Sequence, residues 1–289
     1  MNMTYEAFLN GLEQSMKAKS TQEEHIRRVQ VLKNNGVRLD GFACRTEGHR
    51  EQPTVYVNQF YREEIGGEEL EELAESVLKL QRDNLLSGTE DFESLMDYRR
   101  VKRRIYYRLV SREKNRELLA GVPWIPWMDL ALVFYMKLPG KIVRRATALI
   151  HRSHMEKWGL TAAELYRTAH ENMPDLGVKL IAMSEFLGQE ESECPESGMY
   201  ILNSRQGEYG AAVFADPRVQ RRCAMELGGS YYVLPSSVHE MILLPERTGL
   251  DRQELDSLVR EVNALCVGPE DLLSDHAYFY HAGDGVVNF

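Results

Sequence analysis

The stretch Gly228–Pro245, GGSYYVLPSSVHEMILLP, most constrains the fold. It is the densest apolar run in the C-terminal half, and Pro235-Ser236-Ser237 cuts it into two short pieces. Neither piece is long enough for a helix, and a proline inside a helix removes a donor and clashes with the preceding turn. Tyr231–Leu234 and His239–Leu244 are therefore expected to be strands that pair across a tight turn. The flanking residues continue this pattern. Met199–Leu202 and Tyr209–Phe214 read as a second hairpin. Asp216-Pro217 offers an N-cap with proline at the first helical position, and Gly228-Gly229 ends that helix. Asp251-x-x-Glu254 is a capping box opening a helix to about Asn263. The expected order is β-β-α-β-β-α.

Upstream, apolar positions at Met3, Phe8, Leu9, Leu12 and Met16 have a helical period. Ser20 with Glu23, and Asn35-Gly36 as a stop, predict a second helix. Val37–Cys44 and Thr54–Phe60 read as extended. Glu68–Arg82 is an acidic helix, and Phe92–Leu119 is expected to be a long basic one. Met128–Met136 is a short, almost wholly apolar buried strand with Arg145–His151 as its hairpin partner. Thr161-x-x-Glu164 opens a helix to Asn172, and Val178–Leu187 is predicted to be another. The acidic, aperiodic stretch Gly188–Ser197 marks a boundary. These elements describe an α+β protein: a helical N-terminal part over 1–120, then two ββα-type units, over 121–190 and 198–282, forming a mixed or antiparallel sheet packed with helices.

A chain of 289 residues with a net charge of −9 is not drawn as a whole to nucleic acid or to an anionic membrane. No apolar run reaches the roughly 18 residues of a membrane span, and the first twenty residues lack a signal-peptide core. Cys44, Cys194, Cys223 and Cys266 lie far apart without metal-ligand spacing, which fits a reducing, cytoplasmic setting.

Four stretches could carry chemistry. Ser236, Ser237, His239 and Glu240 place serines beside a base, as a hydrolase requires, but without the glycine-flanked elbow; a turn in which serine hydroxyls satisfy the backbone is the preferred reading. Asp275 and His276, with His281 nearby, suit a metal by residue type, yet strand alternation would send His276 and His281 to opposite faces. Residues 99–116 hold nine Lys or Arg and one Glu. On a continuous helix, Arg100, Arg104, Arg108, Arg112 and Arg116 would form one stripe, able to bind a partner protein or a phosphate backbone. Trp124 and Trp127, between Pro123 and Pro126, could dock a partner or fill a core edge. No phosphate-cradling glycine loop is present, and no cofactor is called for.

Several segments together resemble a known family. They are Asn115–Leu119 leading into Val122-Pro123 and Met128–Phe134; Trp158 through Leu165 to Asn172; Leu234–Glu240; Glu261-Val262-Asn263; and Pro269–His276 with Tyr278 and Tyr280. The chain is similar, from about residue 25 to 280, to a domain-of-unknown-function family, number 5688, of gut Clostridia. The resemblance implies a bacterial, cytoplasmic accessory protein carried on mobile elements, and it assigns no activity or catalytic residue. The expected role is a non-enzymatic protein-binding or regulatory module, the alternatives being nucleic-acid binding through 99–116 and hydrolysis by Ser236 or Ser237 with His239.

Overall fold

The computed structural model describes residues 2–46, 54–83, 97–138, 147–188, 198–235 and 237–289. Contacts divide the chain into two compact units: Met1–Lys33, Val37–Val101 and Leu138–Ala146 make unit 1, while Asn34–Gly36, Lys102–Lys137 and Thr147–Phe289 make unit 2. The protein is α+β, and every strand pair is antiparallel.

In unit 1, helix α1 (Tyr5–Lys19) is capped by Thr4, whose side chain accepts from the Ala7 N–H. Its apolar face, Phe8, Leu9, Leu12 and Met16, buries against Leu70, Ala74, Val77 and Leu78 of α2 (Gly67–Asp83), with Phe42 and Val57 completing the core. The helix expected from Ser20 to Asn35 is instead strand β1 (Glu24–Leu32), paired along its whole length with β2 (Arg38–Thr46); β3 (Val55–Tyr56) adds to β2. The Asn35-Gly36 step, read as a helix stop, is a hairpin turn: both residues have positive φ, 58° and 74°. Asn-Gly between alternating β-branched residues favours that turn. Of the strand expected at 54–60, only Val55–Tyr56 is extended, and Asn58–Phe60 forms a 3-10 turn.

Unit 2 holds two sheets. The first has β6 (Leu130–Lys137) at its centre, flanked by β4 (Ile105–Ser111) on one side and by β5 (Trp124–Trp127) and β7 (Thr147–Leu149) on the other. The long basic helix is not formed. Among the described residues of 92–119 only short helices occur, α3 (Tyr98–Val101) and the start of α4 (Arg116–Gly121), with a 3-10 turn at Lys102–Arg104. Ile105–Ser111 between them, rich in aromatic and branched residues and buried on both faces, is strand. The divide expected at 120/121 thus runs through a single sheet, because β4 pairs with β6 from Ile105↔Met136 to Ser111↔Leu130. Helices α5 (Arg152–Trp158) and α6 (Ala162–Asn172) follow, α6 opened by the Thr161–Glu164 capping box.

The second sheet has six strands in the order β13-β12-β10-β11-β9-β8. Val178–Leu187, expected as a helix, begins as strand β8 (Val178–Ala182) and ends as the short helix α7 (Met183–Leu187). β8 pairs with β9 (Tyr200–Ser204), so the expected boundary, of which 189–197 lie outside the described residues, joins neighbours in one sheet. Tyr209–Phe214 is not a strand: Gly210–Ala215 is a fully buried 3-10 segment, and β9 pairs with β11 (Glu240–Pro245) instead. At Gly210 an added Cβ would lie 2.5 Å from the His239 carbonyl oxygen and the Ser204 nitrogen, so only glycine fits there. Helix α8 (Pro217–Leu227) starts at Asp216 and α9 (Arg252–Cys266) at the Asp251–Glu254 box, as the caps predict. β10 (Tyr231–Leu234) pairs with β11 and with β12 (Tyr278–His281), and β13 (Val286–Asn288) closes the edge. Among the described residues no helix is long and apolar enough to cross a membrane.

In unit 1, Arg82 donates from Nε and Nη2 to the two oxygens of Glu24, each at 2.8 Å. These bonds, helped by the Thr21 N–H and opposed by burial, lower the Glu24 carboxyl from 4.5 to about 2. A depressed carboxyl contributes stability above its unfolded value that disappears as pH falls towards the folded one. Wild-type protein is therefore expected to lose more unfolding free energy between pH 5 and pH 2 than Glu24→Gln, in urea titrations at stepped pH.

Candidate functional site

A gathering of unlike polar groups in unit 2 surrounds a cleft of about 620 Å³. One wall is the turn after β4, from Ser111 to Arg116; the other is Leu273–His276, just before β12; Asp129 lies between them. Both walls are irregular chain, and irregular backbone needs partners for its N–H and C=O groups. Three asparagines supply them. Asn115, 1% exposed, donates from Nδ2 to the Ser111 carbonyl and to Asn35 Oδ1, both at 2.8 Å, and its Oδ1 accepts from the Asn35 N–H. Asn35 Nδ2 in turn donates to the Pro269 and Leu272 carbonyls, and Asn34 Nδ2 to that of Glu270. The amides bind the first wall to the loop that leads into the second.

Asp129 reaches the cleft from the two-residue turn between β5 and β6, where Trp127 pairs with Leu130. Met128, its neighbour in that turn, has φ of 54°, the left-handed conformation that a two-residue hairpin turn requires and that a bulky side chain disfavours. The Tyr278 hydroxyl donates to Asp129 Oδ1 at 2.5 Å. Burial, reinforced by that carboxylate, raises the Tyr278 phenol far above its ordinary range, so it remains a donor. His276 Nε2 is covered from solvent and makes no hydrogen bond among the described residues; Asp129 Oδ2 is 3.5 Å away. Its Nδ1 is 3.2 Å from Ser274 Oγ. Because the Asp129 carboxylate only accepts, we assign the ring proton to Nε2, which leaves Nδ1 to accept from the serine. Asp275 turns elsewhere: Lys114 Nζ and Asn263 Nδ2 each donate to it at 2.9 Å. Burial alone would raise its carboxyl, but those two donors outweigh burial and hold it below the ordinary value.

The residues singled out from sequence scatter around this centre. Asp275 and His276 both line the cleft but serve different partners, and among the described residues no group of three or more His, Cys, Asp or Glu side chains is placed to hold a metal ion. The five arginines do not form one stripe, because the helix that would align them is absent. Arg100 stands 3.5 Å from Asp97 in α3, and Arg104 is exposed in the 3-10 turn. Arg108 leaves β4 to lie over the Tyr209 ring at 4.6 Å, whereas Arg112 and Arg116 reach the cleft. Trp124 packs against Val110, Leu119, Val122, Ala131 and Val133. Trp127 meets Tyr278 and Phe214 edge to face, behind the cleft.

Ser236 lies outside the described residues. Ser237 Oγ accepts from the His239 backbone N–H at 3.0 Å. The His239 ring is engaged at both nitrogens: Nδ1 accepts from the Tyr209 N–H at 3.3 Å, and Nε2 faces Asp271 Oδ1 at 3.2 Å. Neither nitrogen is directed to the Ser237 hydroxyl. Glu240 opens β11 opposite Asn203. Sequence reasoning passed over Asp129, Ser274, Lys114 and the asparagines. One local signal was available: Met128-Asp129 separates two runs that pair as a hairpin. The partnerships of Asp129, Lys114 and the asparagines 35 and 115 across the site join residues from 80 to 237 positions apart.

Truncating Asn115 orphans the Asn35 N–H and the Ser111 carbonyl in a covered site. Asn115→Ala is expected to cost about 3 kcal/mol of unfolding free energy, read as a lower urea midpoint at unchanged slope.

No curated protein and no solved structure matches the chain. A family model does match, over residues 5–282, and on that match the chain belongs to the family of unknown function DUF5688.

Proposed function

We propose that this chain is a cytoplasmic binding module of a bacterium, and that its partner, a protein, presents an anionic group to the cleft of unit 2. The observation that carries the reading is the uneven use of charge around the cleft. Asp275 is answered by Lys114 and Asn263, and Asp129 by Tyr278 and His276. Arg116 has only a loose contact with Glu113, at 3.8 Å, with both side chains more than 80% exposed. No hydrogen bond or ion pair among the described residues reaches the Arg112 side chain. A guanidinium left without a carboxylate at the edge of a polar cavity offers a planar fork for a carboxylate or phosphate. The dispersal of the other arginines weighs against a nucleic-acid track, which needs cations in a row along one face.

Fluorescence anisotropy with a labelled glutamate-rich decapeptide and a labelled single-stranded DNA 20-mer tests the reading. Wild type is expected to bind the peptide, and Arg112→Glu/Arg116→Glu to bind it at least about tenfold more weakly, or ~1.4 kcal/mol. Binding of the oligonucleotide alone, falling steeply with salt, would replace the protein partner by nucleic acid. Binding of neither probe, or equal peptide binding by both proteins, refutes it.

A further inference from the structure

We propose that the cleft also carries out hydrolysis of small carboxylic esters, with Ser274 as nucleophile, His276 as its base and Asp129 as the carboxylate that positions the imidazole. The proposal shares the cleft with the binding reading but does not depend on the arginines at its edge.

Three observations support it. A serine becomes nucleophilic when a base within hydrogen-bond reach is itself oriented by a third group. Ser274 Oγ lies 3.2 Å from His276 Nδ1, and Asp129 Oδ2 approaches the unpartnered Nε2 to 3.5 Å, on the wall of a cavity large enough for a small molecule. Catalytic contacts are often this long before a substrate is bound. Second, the groups are held from behind. Ser274 N–H donates to the Pro235 carbonyl, Asn263 Nδ2 donates to the Ser274 carbonyl, and Tyr278 fixes Asp129. Third, Asp129 is delivered by a turn strained at Met128. The Ser237–His239 pair lacks the first property, since both of its ring nitrogens are already engaged.

The reaction needs only water. Ser274 Oγ bonds to the acyl carbon as its proton passes to His276 Nδ1, giving a tetrahedral adduct that carries its negative charge on the former carbonyl oxygen. The carbon–oxygen bond to the leaving group breaks, and His276 returns the proton to the departing alcohol. Water then attacks the acyl-serine, giving its proton to Nδ1. The Oγ–carbon bond breaks, Ser274 regains a proton, and a carboxylic acid leaves. Asp129 does not touch the substrate; it holds Nε2–H and stabilises the imidazolium. Leu273 is the one apolar residue lining the cleft, so the acyl group is short and polar rather than a fatty chain.

The experiment combines a fluorophosphonate probe, read by intact mass and peptide mapping, with hydrolysis of p-nitrophenyl acetate and p-nitrophenyl octanoate. Wild type is expected to take up one probe at Ser274 and to hydrolyse the acetate faster than the octanoate. Ser274→Ala takes up none, and His276→Gln reacts about 100-fold more slowly. Ser274→Cys, which keeps a nucleophile in place, exchanges fluorophosphonate reactivity for iodoacetamide alkylation at position 274, and this arm decides the matter if the alanine variant does not fold. The groups facing His276 are Asp129, Asp275, Tyr278 and Phe289. Asp129→Asn removes the carboxylate that orients the imidazole, so kcat for p-nitrophenyl acetate falls with KM little changed, which a merely structural role would not produce. No labelling of folded wild type, an adduct at Ser111 or Ser237, or unchanged hydrolysis by Ser274→Ala overturns the proposal. Peptide binding measured on the same preparation shows separately whether the arginine edge works.

Discussion

The cleft depends on a small set of side-chain amides more than on any ion pair. Its two walls are irregular, and each exposes backbone groups that no strand or helix satisfies. Asn115 and Asn35 answer them reciprocally, each side chain acting as a detached peptide group. Asn35 can do this because its backbone has already turned through positive φ, which asparagine tolerates better than most residues. An amide is neutral and carries both donors and an acceptor, so it fixes loop geometry without the desolvation cost of a buried charge. The charged groups of the cleft are left for other uses.

Two local turns with the same sequence pattern show how surroundings separate structure from chemistry. Ser237-Val238-His239 and Ser274-Asp275-His276 each place a serine oxygen near the histidine N–H two residues on, at 3.0 and 3.4 Å. In the first, the imidazole is held by Tyr209 and Asp271 and stacked on the Tyr209 ring, so it acts as a brace between the 3-10 segment and the 271–272 loop. In the second, one nitrogen faces a hydroxyl and the other approaches a carboxylate, beside a cavity. The sequence drew attention to the first turn because of its serine pair, but the disposition of the ring nitrogens favours the second.

Elements with strong local signals were legible from sequence. Helices α6, α8 and α9 begin at their caps because a side-chain oxygen three residues from a glutamate, or an aspartate before proline, satisfies the first free N–H groups whatever the tertiary context. β6 was legible because a short, wholly apolar run has nowhere to go but a buried strand. In the basic segment a charge spacing overrode residue type. Arginines four apart from 100 to 116 suggested a helix, although Ile105, Tyr106, Tyr107 and Val110 between them prefer a pleated surface. Glu24–Leu32 was misread for another reason, since its Asn-Gly was read as a helix stop instead of a turn. Of the site, Asp275 and His276 were visible by residue type, but their partners come from β4, the β5–β6 turn and α9, which no local pattern joins.

The composition of the cleft limits what it can do. With almost no apolar lining, an occupant gains little from burial, so affinity must come from directed hydrogen bonds and charge. Those terms act at different depths. The arginine edge is exposed, and attraction there is screened by salt over a Debye length of about 8 Å at physiological ionic strength. Ser274, 6% exposed, and the covered His276 Nε2 sit where water is sparse and a nearby carboxylate acts more strongly. The capture proposed for the edge and the chemistry proposed for the wall therefore call on different parts of one cavity. The first would depend on guanidinium groups that face solvent, and the second on the contact of His276 Nδ1 with a hydroxyl and on a carboxylate that the β5–β6 turn carries towards its Nε2.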